Sequence, residues 1–243
     1  CEERFSAVRD VFANNFEEFG EAGAAMALTI EGKPVIDLWG GVADRETMRP
    51  WQQDTITTVY STTKGMTAIC AHRLVDQGLL DLNAPVAKYW PEFAQAGKAD
   101  VPVHLLLSHR VGLPTVSDQL PKGAVFNWET MTDALARQKP FWEPGKRHGY
   151  HSLTFGWLVG EVVRRISGKS LGTFFRDEVA VPLGLDFQIG VDPKDDARIA
   201  TMYTAVVPME TVQQVEQRER EEQERMGSEL KAARGNISIQ GAH

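Results

Sequence analysis

Cysteine is nearly absent: the 243 residues hold two, Cys1 and Cys70. That excludes a disulfide framework and a cysteine zinc site, and it fits a reducing compartment, so a cytoplasmic location is expected. Long apolar runs are missing too; none approaches the ~20 residues that cross a bilayer as a helix. Positive charge is in deficit. Lys and Arg number 26 against 33 Asp and Glu, a formal net charge of −7. A chain of that sign is a poor partner for nucleic acid or for an anionic membrane surface. Internal repeats are absent. The chain opens on Cys1 and not on Met, which leaves its natural beginning open.

Apolar periodicity then outlines the elements. Phe5, Val8, Phe12, Phe16 and Phe19 recur at helical intervals and predict an amphipathic helix. Residues 24–30 and 34–39 are strand-like, and Glu31-Gly32-Lys33 between them predicts a hairpin. The stretch from Thr55 to Tyr60 is rich in β-branched residues and extended in character. Met66, Ile69, Cys70 and Leu74 mark the apolar face of a helix that Gly78 ends. Beyond it come a short helix before Tyr89, another over 103–108, and one marked by Trp128, Met131 and Leu135 with Asn127 as its cap. Residues 153–166 read as a buried helix whose polar edge is Glu161, Arg164 and Arg165. Leu171, Phe174, Phe175 and Val179 form one more. No strand is evident between Leu74 and Leu185. The charged run from Thr211 to Arg234 reads as an exposed helix or insertion. The fold class is α+β, in three regions: 1–67 with the hairpin, 68–190 helical, and 191–243 as a connection carrying the charged run.

The chemistry centres on Ser61-Thr62-Thr63-Lys64. Serine and lysine three apart at a helix start share one face. A serine hydroxyl is a weak nucleophile until a neighbouring base takes its proton, and a lysine amine can be that base if its surroundings hold it neutral. The Ser-Lys pair is an established variant of Ser-His-Asp. Ser61 stands where an extended segment enters a helix, so its N–H belongs to the unpaired first turn and is free to face an oxyanion. The local sequence allows a second reading, Ser61 as a plain N-cap.

Other motifs are weaker. Ser228-Glu229-Leu230-Lys231 repeats the spacing inside the charged run, with no site around it. Gly168-Lys169-Ser170-Leu171-Gly172 matches a nucleophile elbow, which needs a strand before the serine; here a helix precedes it, so Gly168 reads as a helix stop and Ser170 as a cap. His148 and His151 lack the further ligands a metal needs, and His104 and His109, flanking a short helix, read as structural. No metal and no cofactor are expected. Pro144-Gly145 turns the chain toward Tyr150, and Gly149 permits a close backbone approach. Tyr150 then has two readings: a general acid for the leaving group, or a core tyrosine with its hydroxyl bonded.

In order along the chain, the amphipathic first helix, Asp37-Leu38-Trp39-Gly40-Gly41, Ser61-Thr62-Thr63-Lys64 and Gly78-Leu79-Leu80-Asp81-Leu82 form a series. It continues with Leu106-Leu107-Ser108-His109, Gly112-Leu113-Pro114, Pro144-Gly145 before Tyr150, and Gly156 to Gly168. This series resembles the serine β-lactamase-like superfamily, and within it the family VIII carboxylesterases. The resemblance implies a β-lactamase/transpeptidase-like fold: an antiparallel sheet flanked by helices, a helical subdomain beside it, the site between them. It implies an acyl-enzyme on Ser61, proton transfers shared by Lys64 and Tyr150, and a small-molecule ester as substrate. His151 and Ser152 would lie on the substrate side. Ser152 stands where penicillin-recognising members carry asparagine, which favours simple esters over β-lactams. A β-lactamase or D-Ala-D-Ala peptidase-like enzyme and a non-catalytic binding homologue are the alternatives. In the family a late strand supplies the second oxyanion donor. No matching motif stands between Ile189 and His243, so the resemblance implies a chain incomplete at its C-terminal end, with a sheet of two or three strands at most and no activity for these residues alone.

Overall fold

The computed structural model describes residues 1–203 and four further positions, Gln217, Arg220, Glu221 and Glu224, which are helical and exposed. The rest of the charged run 211–234, including Ser228 and Lys231, lies outside the described residues, as does 233–243. The chain divides into two compact units, Cys1–Thr201 and Met202–His243. Every helix and strand that positions the site belongs to the first.

Helix α1 spans Ser6–Glu18. Its Phe12 and Phe16 meet edge to face, with centroids 5.3 Å apart, and lie over Gly40 and Gly41 of the hairpin. Gly41 has φ +76°, and a Cβ there would run into the Ala22 carbonyl; only glycine allows this approach. Phe19, expected on the same stripe, is 78 % exposed. The helix ends at Glu18, so Phe19 has left the 3.6-residue period that would bring it to the sheet.

Strand β1 (Gly23–Ile30) pairs antiparallel with β2 (Lys33–Asp44). Glu31 and Gly32 both have positive φ, the requirement of a tight type I′ hairpin turn. β2 runs five residues past the expected Trp39 and takes up a two-residue β3, Arg49–Pro50, giving the sheet order β1-β2-β3. Met26, Leu28 and Ile30 of β1 stay exposed. The segment 55–60 is not a regular strand. Among the described residues its bridge is at Ile56, parallel to Ile199.

Helix α2 (Thr63–Asp76) buries Thr67, Cys70, Ala71 and Leu74, the i, i+3, i+4, i+7 face of a core-packed helix. Ile69 falls off this face and is 44 % exposed, contrary to the pattern read from the sequence. Burial pushes the Cys70 thiol up to about 12, so it packs as an inert apolar group. Around α5 (Thr154–Ser167) gather α2, α3 (His104–Leu107), α4 (Trp128–Arg137) and α6 (Leu171–Phe175). A π turn over Arg176–Ala180 carries α6 on to Leu183. Their shared core includes Trp90, Phe93, Leu106, Leu113, Leu135, Leu158 and Phe175. The caps follow the residue types. Asn127 and Ser170 accept from the backbone N–H three residues on, and Gly168 closes α5 with φ +72°. Ser170 is therefore a cap and not an elbow nucleophile.

One expectation about α5 needs correction. Glu161 is not on a solvent edge but fully buried. Arg164 grips both its oxygens at 2.7 Å, Arg165 donates at 2.7 Å and Trp128 Nε1 at 2.6 Å. A buried carboxylate needs such company. Burial alone would push it up; the bonds from Arg164, Trp128 and Arg165 outweigh burial and hold it below the ordinary carboxylate range. Its stabilisation is therefore complete above that range and is lost as pH falls through its lowered value. Both arginines reach solvent, at 38 % and 30 % side-chain exposure, so they can rehydrate once the carboxylate is gone. Glu161→Ala is expected to lower the unfolding free energy by about 2 kcal/mol, less than for a fully enclosed pair. A urea midpoint falling at constant slope measures it; an unchanged midpoint refutes it.

Candidate active site

Three elements deliver three side chains to one point. Ser61 lies in a 3₁₀ turn, Tyr60–Thr62, that leads straight into α2. Lys64 is in the first turn of α2, and Tyr150 is on the loop that leads into α5. Tyr150 Oη donates to Ser61 Oγ at 2.7 Å. Lys64 Nζ lies 3.1 Å from the same Oγ and 2.7 Å from the Ser152 carbonyl. It also sits over the Tyr150 ring, 4.9 Å from the centroid. Ser61 is not a cap. The N-cap of α2 is Thr62, with no side-chain cap bond. The turn's backbone bonding starts with Thr62 N–H to the Val59 carbonyl at 3.1 Å, which leaves Ser61 N–H outside the ladder and open to an oxyanion. Tyr60, immediately before the serine, has φ +44°, a left-handed conformation that a bulky side chain rarely takes.

Tyr150 is half exposed, so the core-tyrosine reading is overturned. Contact with the Ser61 hydroxyl, then the hydrogen bond and charge of Lys64, hold its phenol below the ordinary tyrosine range. Gly149 does what its residue type suggested: a Cβ there would enter the Trp142 indole.

Ser152 reaches the pair through its backbone carbonyl, an acceptor any residue would supply. It also lines a hollow of about 490 Å³ whose walls include Pro114, Val116, Leu120, Met131 and Trp157. Neither this hollow nor a larger one of about 890 Å³, between α6 and the segment 185–194, is lined by Ser61, Lys64 or Tyr150.

His151 is the correction. Placed on the substrate side from the sequence, it is fully buried. Nε2 accepts from Leu113 N–H at 3.0 Å, and Nδ1 faces the Gly149 carbonyl at 2.6 Å. Both ring nitrogens are engaged by backbone, which leaves nothing to offer a ligand. Burial pushes its imidazole down to about 4, so it is a neutral strut. Alternation explains the error: with Tyr150 facing the site, its neighbour faces the core. His104, with Nδ1 3.2 Å from the Leu82 carbonyl, is structural as read. His109 is not merely so; its ring lies 4.9 Å from that of Tyr150. The signal that could have found it is a non-glycine residue at the position just past α3 where glycine is usual, but that needs the helix boundary.

A Ser-Lys-Tyr cluster at the head of a core-packed helix, beside an antiparallel sheet and a helical region, defines a site of the β-lactamase/transpeptidase type. The Beta-lactamase family profile matches residues 12–239. The chain belongs to the beta-lactamase family. Esterase/beta-lactamase LipL of Mycobacterium tuberculosis is 40 % identical over 193 residues, 79 % of this chain and 44 % of that protein. The crystal structure of a family VIII carboxylesterase aligns at TM-score 0.78 and 48 % identity, covering 84 % of this chain and 56 % of that one. A penicillin-binding protein homologue from Caulobacter crescentus aligns at TM-score 0.81 and 43 % identity, covering 85 % and 56 %. The chain spans about half the length of the curated relatives it matches.

Proposed function

We propose that the protein is a serine hydrolase that cleaves carboxylic esters through an acyl-enzyme on Ser61. The observation that carries the reading is the double contact on Ser61 Oγ, Tyr150 at 2.7 Å and Lys64 at 3.1 Å. A neutral Lys64 keeps an N–H for the Ser152 carbonyl and turns its lone pair to the serine hydroxyl. Ser61 gives its proton to that lone pair and attacks the ester carbonyl carbon. Ser61 N–H faces the oxyanion. The C–O bond then breaks, the leaving alkoxide takes a proton from Tyr150, and the acyl group stays on Oγ. Water then attacks the acyl carbon and gives a proton to the Tyr150 phenolate, the bond to Ser61 Oγ breaks with Lys64 returning its proton to that oxygen, and the acid is released. The hollow that Ser152 lines, with Pro114, Val116, Leu120, Met131 and Trp157 among its walls, suits the hydrocarbon part of the ester, with Ser152 as the substrate-facing residue.

The family VIII carboxylesterase and the LipL relative support this reading. The penicillin-binding homologue favours a second one, a β-lactamase or D-Ala-D-Ala peptidase-like enzyme; Ser152 in place of asparagine counts against it. The full Ser61, Lys64 and Tyr150 set counts against a non-catalytic homologue. Among the described residues no helix is long and apolar enough to cross a membrane. Neither cysteine is in a disulfide, which suits a cytoplasmic location, and the net charge of −7 disfavours nucleic acid as a partner.

The test uses the full-length natural protein. A fluorophosphonate probe is expected to label Ser61, and Ser61→Ala to abolish labelling. Label mapped to Ser170 or Ser228 refutes the nucleophile. Turnover of p-nitrophenyl esters is expected to exceed that of a chromogenic cephalosporin; comparable kcat/KM on both moves the protein to the second reading.

A further inference from the structure

Tyr150 is held from both sides by a single residue. Gly149 N–H donates to the His109 carbonyl at 3.1 Å, and His151 N–H donates to His109 Nδ1 at 3.1 Å. The N–H groups of the two residues on either side of Tyr150 thus end on the backbone and the side chain of His109. Its imidazole also faces the phenol ring, with centroids 4.9 Å apart, and backs onto Phe155 at 5.0 Å. His151 cannot take this part, because it spends both nitrogens on Leu113 and Gly149.

The backbone at His109 shows that this placement is specific. α3 ends in a Schellman turn: Arg110 N–H bonds the Leu105 carbonyl at 3.0 Å and His109 N–H the Leu106 carbonyl at 3.4 Å. The residue at that position takes a left-handed conformation, and glycine is its usual occupant. His109 accepts φ +59° there. A strained non-glycine residue persists when its side chain is needed, and here the side chain bonds the loop that carries Tyr150.

We propose that His109 is a positioning residue for Tyr150: its neutral ring, with Nδ1 as acceptor, fixes the 149–151 loop so that the Tyr150 hydroxyl is delivered to Ser61. The acceptor role requires an unprotonated Nδ1. Burial, then the charges of His148 and Lys64, push His109 below the ordinary histidine range, and the groups that face it are those two with Tyr150 and His151. The clamp is therefore closed at neutral pH and opens only as pH falls through that lowered value. The kinetic part of the inference rests on the proposed role of Tyr150 in hydrolysis; the spectroscopic part does not.

Tyrosine labelled with ¹³C at Cζ follows Tyr150 directly, its resonance being the one lost in Tyr150→Phe. His109→Phe keeps an aromatic face but has no acceptor. In that variant the Tyr150 titration is expected to move up toward the ordinary tyrosine range as contact with Ser61 and Lys64 is lost. kcat is expected to fall roughly tenfold to a hundredfold, as sub-ångström to ångström misplacement does, with KM unchanged. His109→Asn places Oδ1 where Nδ1 stood and tolerates left-handed backbone, and it is expected to restore both readouts. An unchanged Tyr150 titration in folded His109→Phe overturns the proposal, and so does His109→Asn behaving like His109→Phe. If His109→Phe does not fold, ¹⁵N spectra of the unaltered protein decide. An unprotonated His109 Nδ1 at pH 7 supports the clamp, and an imidazolium at that pH overturns it. If the unaltered protein hydrolyses no ester, the functional reading falls while the Tyr150 titration still tests the clamp.

Discussion

Lys64→Arg is expected to lower kcat for ester hydrolysis roughly a thousandfold, the scale of a lost general base, while the protein still folds. Arginine fixes a positive charge beside Tyr150 and keeps N–H groups for the Ser152 carbonyl. What it lacks is a lone pair, since it cannot give up its proton at accessible pH. The substitution therefore separates charge from basicity, which Lys64→Ala does not. Lys64→Ala is expected to lose as much in kcat, because an unassisted serine hydroxyl stays protonated near neutral pH. A change confined to kcat, with KM nearly constant, marks a role in the chemical step. Normal turnover in Lys64→Arg refutes Lys64 as base and leaves the proton to Tyr150 alone.

Tyr150→Phe is expected to lower kcat roughly a hundredfold, the smaller end of acid–base contributions, because Lys64 remains. The ring still packs on His109; only Oη, with its 2.7 Å bond to Ser61, is removed. The pH profile carries more information than the rate. Tyr150 is held below the ordinary tyrosine range by Ser61 and Lys64, and in the proposed reaction it is the protonated donor to the leaving alkoxide. Activity is thus present while Tyr150 keeps its proton and is lost as pH rises through its lowered value. Tyr150→Phe is expected to remove that alkaline limb, and an identical profile in the variant shows that Tyr150 carries no proton in the reaction.

Much of this site was legible in one dimension. Ser61 and Lys64 are three residues apart, and a helix of 3.6 residues per turn brings any such pair together. The caps Asn127 and Ser170, the Gly168 stop and the hairpin around Glu31-Gly32 follow from local backbone chemistry in the same way. Local readings failed where an element ended or where burial decided. Phe19 fell one residue past its helix, Ile69 lay beside the buried face of α2, and Glu161 went into the core because two arginines and Trp128 could satisfy it there. The remaining decisions were tertiary. Tyr150 is 89 residues from the serine it bonds, and the local sequence favoured a core tyrosine; the ordered family resemblance pointed to its role, and only the packing of its loop set the distance. The same packing turned His151 inward and made His109 the clamp, 42 residues from the amide it accepts. Periodicity and capping are short-range properties written into neighbouring residues. Which distant side chains share one point depends on how helices and loops pack, and no spacing rule along the chain encodes that.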